Sequence, residues 1–209
     1  VPHVSSPELL VLHAVRVKGM ADAATVAGRF ELDPELVDEL LLDYEAFGWI
    51  SRVRFADIEG WALTPRGRAE DERRLTAELD HTGTRSDVVA AHDAFVVLNS
   101  RFLATITDWQ IRPEPADPLA ANDHSDTRWD ERVLDDLCDL HSELRPVSEQ
   151  LSSALHRFGG YSERYSAALD RACRGERAWI SQPTIDSCHT VWMELHEDLL
   201  ATLGLERGS

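Results

Sequence analysis

The segment Asp186-Ser187-Cys188-His189-Thr190-Val191-Trp192-Met193-Glu194-Leu195-His196 concentrates side chains able to ligate, stack or exchange protons. On a helix, at about 100° per residue, Asp186, His189, Met193 and His196 fall within about 80° of one another. That arc overlaps the apolar one of Trp192, Leu199, Leu200 and Leu203. Two histidines and an acid on a packed face suit an effector pocket, although a satisfied core histidine pair is the plainer expectation. Asp186, His189 and His196 are weaker as metal ligands, because the two histidines need a donor from another helix. His92, Asn99, His124 and His141 could supply one. The candidate effector pocket is His92, Asn99, Trp109, Asp186, His189, Trp192 and His196, with no cofactor expected.

A second polar cluster, Asn122-Asp123-His124-Ser125-Asp126, lacks the spacing and the glycine of a calcium loop. Asp126 before Thr127 is expected to cap a helix. There is no phosphate-binding glycine loop, no G-x-S-x-G and no H-E-x-x-H. Ser187 and His189 on one helix would point about 160° apart, too far for a nucleophile and its base. The chain is not expected to be an enzyme.

Arginine supplies the remaining chemistry. Arg52 and Arg54 alternate on one predicted strand, and Arg66, Arg68, Arg73 and Arg74 follow. Such a set can hold phosphates or enter a minor groove. Pairing with Glu70, Asp71 and Glu72 is the competing expectation.

These residues need elements to place them. Ser6 caps a helix at Pro7–Val17 that Gly19 ends. A short helix follows at Ala23–Phe30. Asp33 and Pro34 open a third, in which Val37, Leu40, Leu41 and Tyr44 form an amphipathic stripe. Trp49–Phe55 and Trp61–Thr64, around a turn at Ala56–Gly60, predict a β-hairpin. Arg66–Leu79 looks like a solvated connector helix. Further on, Asp87–Gln110 carries a seam of Val88, Ala91, Phe95, Leu98, Phe102 and Trp109. Thr127–Phe158 carries Val133, Leu137, Leu140, Leu144, Val147, Leu151, Ala154 and Phe158, with Pro146 expected to kink or split it. Helices at Ser162–Arg174 and Thr184–Leu203 complete the chain. The expected fold is mainly α: a winged helix-turn-helix of three helices plus a β-hairpin over 1–68, a connector over 69–84, and a C-terminal α-helical bundle over 85–209.

The hairpin entry "GWISRV" and exit "LTPRGRAE" resemble the wing of MarR-type and PadR-type bacterial regulators, over about a third of the chain. The two-part layout resembles stand-alone actinobacterial winged-helix regulators. That resemblance implies a cytoplasmic, dimeric DNA-binding transcriptional regulator whose helical part dimerises and senses a small-molecule effector. "RYSAALDRACRGERAW" loosely resembles a helix of the fatty-acid-responsive GntR class, but Val97 stands where its paired histidine should fall.

Charge argues the other way. The 209 residues carry 21 Lys+Arg against 38 Asp+Glu, a net of -17. Residues 1–80 alone hold 9 bases and 16 acids. The third helix has Asp33, Glu35, Asp38, Glu39, Asp43 and Glu45 and no base, where major-groove readers carry Arg, Lys, Asn or Gln. The alternatives are therefore a winged-helix protein-interaction module that does not bind DNA, or a ligand- or metal-binding helical domain. No apolar run spans a bilayer, no leader-like segment opens the sequence, and Cys138, Cys173 and Cys188 form no zinc or CxxC pattern. Reduced thiols in the cytoplasm and no membrane partner are expected.

Overall fold

The computed structural model describes residues 2–55 and 58–205. It is mainly α-helical with one two-stranded antiparallel sheet. The chain divides into two compact units that do not follow a single cut. One comprises Val1–Val88, Ser153–Arg157 and Glu194–Ser209; the other comprises Val89–Ser152 and Phe158–Met193.

The first unit opens with α1 (Pro7–Lys18), α2 (Ala23–Arg29) and α3 (Pro34–Ala46). Each start is fixed by a side chain that accepts a free helix-end N–H. Ser6 accepts from Leu9 N at 3.3 Å, Asp22 from Thr25 N at 2.8 Å and Asp33 from Glu35 N at 3.0 Å. Gly19, at φ 74°, takes the left-handed turn that ends α1. Their apolar faces meet in a core of Val11, Leu12, Val15, Val26, Val37 and Leu41. The Tyr44 hydroxyl ties α3 to α1 by donating to the Glu8 carbonyl at 2.6 Å.

Strands β1 (Ile50–Phe55) and β2 (Ile58–Leu63) pair with Arg54 opposite Glu59 and Arg52 opposite Trp61. Of the expected turn, Ala56 and Asp57 lie outside the described residues. Ala21 joins the sheet through reciprocal backbone bonds with Trp61, at 3.0 and 2.7 Å. Gly60 permits that approach, since a Cβ there would lie 2.8 Å from the Ala21 backbone.

The segment Thr64-Pro65-Arg66-Gly67 then turns the chain into α4 (Pro65–Thr82). The Thr64 hydroxyl donates to the Gly48 carbonyl at 2.7 Å and accepts from Gly67 N at 3.0 Å. Gly67 packs directly on the Trp49 carbonyl. Helix α4 is not the solvated connector the sequence suggests. Gly67, Asp71, Leu75, Glu78 and Leu79 form a buried face. Hydropathy hides that face because two of its members are acids whose partners lie elsewhere in the chain.

In the second unit the predicted seams are buried: Ala91, Phe95, Leu98, Phe102 and Trp109 on α5 (Arg85–Gln110), and Val133, Leu137, Leu140, Leu144, Val147 and Leu151 on α6 (Thr127–Ala154). Helix α6 is not split at Pro146. It stops at Ala154 rather than Phe158, because Leu155 bridges to His3 and His156 N donates to the His3 carbonyl at 2.9 Å. A single 3-10 turn follows at His156–Phe158. The remaining helices are α7 (Tyr161–Cys173), a one-turn α8 (Ala178–Ser181) and α9 (Cys188–Leu203). Helix α9 starts later than expected because the Ser187 hydroxyl accepts from Thr190 N at 3.2 Å. Asp186 therefore lies ahead of the helix, outside the arc that grouped it with His189. No helix among the described residues is long and apolar enough to cross a membrane.

Candidate nucleic-acid interface

Arg52 and Arg54 point from the same side of β1, as the two-residue period of a strand requires. The Arg52 side chain is 57% exposed, lies 4.6 Å over the Trp61 ring and stands 3.9 Å from Glu45. Arg54 is 73% exposed and pairs with Glu59, itself exposed, at 2.6 Å. Arg66, on the first turn of α4, is exposed. Arg68 reaches Glu197 at 3.2 Å, and Arg73 makes a two-pronged bond to Glu70 at 2.8 Å.

Arg74 is different. It shares Glu70 at 2.6 Å, donates to the Glu8 carbonyl at 3.0 Å and covers the Trp49 ring at 4.8 Å. The bond from Arg73, outweighing the opposing effect of burial, and then the bond from Arg74 pull the Glu70 carboxyl down to about 2. Arg74 is thus a fastener within its unit. Of the acids that could compete for these arginines, Glu70 does so and Asp71 does not. An exposed ion pair contributes roughly 0–1 kcal/mol, so phosphate can displace Glu59 or Glu45 at little cost.

Helix α3 turns Val37, Leu41 and Tyr44 inward and Asp38, Glu39, Asp43 and Glu45 outward. Leu42 lies on that acidic face at 56% exposure. Between it and the hairpin runs a groove of about 450 Å³ lined by Asp22, Asp38, Leu42, Arg52, Glu59 and Trp61.

No protein family, curated protein or solved structure matches this chain.

The effector-pocket candidates are accounted for locally. Trp192 stacks on Phe102 at 4.3 Å, and its indole N–H donates to Asn99 Oδ1 at 2.9 Å, so each satisfies the other. His189 lies parallel to the Phe102 ring at 6.1 Å, and burial pushes its pKa down, towards the neutral imidazole. Trp109 is buried against His124, whose Nδ1 lies 3.0 Å from Asp130. His92 stands 3.7 Å from Asp93. Asp186 accepts from Arg164 at 2.8 Å. His196 falls in the other unit. Among the described residues no group of three or more His, Cys, Asp or Glu side chains is placed to hold a metal. In the polar loop, Asp126 caps α6 by accepting from Arg128 N at 3.1 Å.

The sequence reading missed the most densely charged site, in the first unit. His13 is fully buried, with Nδ1 3.3 Å from Asp71 and Nε2 3.0 Å from Asp198. A neutral imidazole donates once, so bonds to two carboxylates call for the imidazolium. Burial lowers the His13 pKa, but Asp198 and Asp71 together overcome it and raise the value. Arg157, also buried, donates to Asp198, to Glu78 at 3.0 Å and to Thr202 at 2.7 Å. Arg16 bridges Asp71 at 3.3 Å and Glu197 at 3.1 Å. The local signal is His13 and Arg16, three residues apart within the otherwise apolar stretch Leu9–Val17 of α1.

Proposed function

We propose that residues 2–82 form a winged helix-turn-helix and that the chain is a DNA-binding transcriptional regulator, gripping duplex DNA by its wing. The observation that carries this reading is the exposure of Arg52, Arg54 and Arg66, the first two facing acids, Glu45 and Glu59, that are themselves exposed. The order of three helices, hairpin and helix supports it, as does the resemblance at the hairpin. With four outward acids, α3 is repelled by phosphate. Binding then rests on backbone contacts of the wing and is strongly salt-dependent.

A homodimer follows from the two-fold symmetry of bacterial operators. Val89, Val96 and Leu103 recur at heptad spacing on α5 and are exposed, as is the adjoining Val97, with Asp93 and Ser100 between them. Such a stripe suits a second copy. Val96→Glu is expected to turn a dimer into a monomer in analytical ultracentrifugation; an unchanged mass would remove α5 from the interface. In this reading a small-molecule effector acts through the helical part and shifts the spacing of the paired wings.

The test is the salt dependence of DNA affinity. Arg52→Ala with Arg54→Ala is expected to weaken binding to every duplex and to flatten the log–log salt slope by about 0.9 for each lost phosphate contact. An unchanged slope would take the wing off the phosphates.

The groove beside α3 favours a second reading, a protein-interaction module that takes a basic segment with one apolar anchor. Exposed Leu42 amid Asp22, Asp38 and Glu59 is the observation behind it. Leu42→Ser would then abolish partner binding, whereas wing-mediated DNA binding would survive it.

A further inference from the structure

A second groove in the first unit, of about 380 Å³, is lined in part by a buried carboxylate. Its size falls in the range of small-molecule sites. One wall is α4, where Arg74, Ala77, Glu78 and His81 follow the i, i+3, i+4, i+7 spacing of a single helix face. The other is the start of α1 and the segment before it, through His3, Ser6 and Leu9. The Glu78 side chain is only 5% exposed. Arg157 donates to its Oε2 at 3.0 Å and divides its charge between Glu78 and Asp198. The other oxygen, Glu78 Oε1, accepts no hydrogen bond among the described residues. It faces His3 Nε2 across 3.5 Å, and the 35% exposed His3 ring meets the His81 ring edge-on at 6.1 Å. A buried carboxylate oxygen without a donor is costly. Arg73 and Arg74 also border the groove, but both are bonded to Glu70. What the groove leaves unsatisfied is therefore an acceptor, beside the apolar surface of Leu9 and Ala77.

We propose that this groove binds a small organic ammonium ion. An N–H of the ligand donates to Glu78 Oε1, and its hydrocarbon body lies on Leu9 and Ala77. The ammonium takes the place that His3 Nε2 approaches without bonding. His3 is anchored by its carbonyl, which accepts from His156 N at 2.9 Å, so its ring can swing aside while the chain stays in place. A hydrogen bond between two charged groups is roughly twice as strong as one between neutral groups, so charge selects the ligand class. The site lies wholly in the first unit, and the proposal stands apart from the DNA-binding reading.

The test titrates the full chain with benzylamine hydrochloride, benzyl alcohol and sodium benzoate, following histidine ring protons by NMR. The expected result is a saturable shift of the His3 and His81 resonances with benzylamine, about tenfold or more tighter than with the alcohol and absent with benzoate. Ala77→Phe, at an exposed position, should fill the groove and remove binding while the protein stays folded. Glu78→Gln should weaken benzylamine binding by about tenfold or more. If losing the charge opposite Arg157 keeps that variant from folding, Ala77→Phe decides. No saturable shift up to about 10 mM benzylamine would overturn the assignment. So would equal affinity for the alcohol, preference for benzoate, binding that survives Ala77→Phe, or unchanged affinity in folded Glu78→Gln.

Discussion

Asp198→Ala is expected to destabilise the first unit by about 3–5 kcal/mol, the usual cost of stripping one partner from a buried ion pair. The substitution leaves Arg157 and His13 charged, buried and facing an empty space, since Asp198 contacts both. Urea unfolding followed by circular dichroism measures the loss. Asp198→Leu with Arg157→Met should recover only part of it, because Glu78 then loses Arg157 and His13 keeps Asp71 alone. A loss below about 1 kcal/mol would mean that water or rearrangement already serves the buried groups.

The same cluster fixes the response to pH. Burial raises the Asp198 pKa, but Arg157 and His13 outweigh it and hold the carboxyl far below the ordinary aspartate range. Its contribution is present above the unfolded value of about 3.9 and disappears as pH falls toward the folded one. His13 is raised in the folded state, so its contribution is complete below about 6.5 and disappears as pH climbs through the folded value. Stability should therefore be greatest between those limits. His13→Gln should remove the alkaline decline and leave the acid one.

Gly67→Ala is the second large effect, expected to destabilise by about 3 kcal/mol or more. An alanine Cβ at this position would stand 1.8 Å from the Trp49 carbonyl oxygen and 2.6 Å from its carbon. Backbone cannot swing aside as a long side chain can, so hairpin and α4 must separate. That loss outweighs the roughly 0.5–1 kcal/mol that alanine gains over glycine inside a helix. Gly28 in α2 is the control. A Cβ there meets nothing within 4 Å, so Gly28→Ala should be neutral or stabilising. Equal effects at the two glycines, read by thermal unfolding, would refute the packing argument. The clash also gives the short "LTPRG" run a physical meaning: threonine closes the corner and glycine lets α4 sit on the strand entry.

The parts of the fold that were legible in sequence are those set by neighbours. Ser6-Pro7 and Asp33-Pro34 announce helix starts by local hydrogen bonding, and the seams of α5 and α6 announce their buried faces by period alone. The outward acids of α3 were legible for the same reason. What could not be read depends on partners distant in the chain. Asp71 and Asp198 look like surface acids until α4 and α9 bring them to either side of His13. Asp186 was placed on a helix because periodicity says nothing of a cap, and the Ser187 hydroxyl caps a helix that starts four residues later than the expected Thr184, at Cys188. The arginines were legible as a basic set, but not that Glu70 fastens Arg74 beside two aromatic rings while leaving Arg52 and Arg54 open.

The central claim is that an acidic chain grips DNA through its wing. Its most direct test is binding of the intact protein to the duplex upstream of its own coding sequence and to random duplex, at about 50 and about 200 mM salt. Tight binding to the upstream fragment at the lower salt, surviving random competitor and falling steeply at the higher, is the predicted result. No binding at either salt, with or without candidate effectors, would mean that the α3 acids prevail and that the module docks on protein.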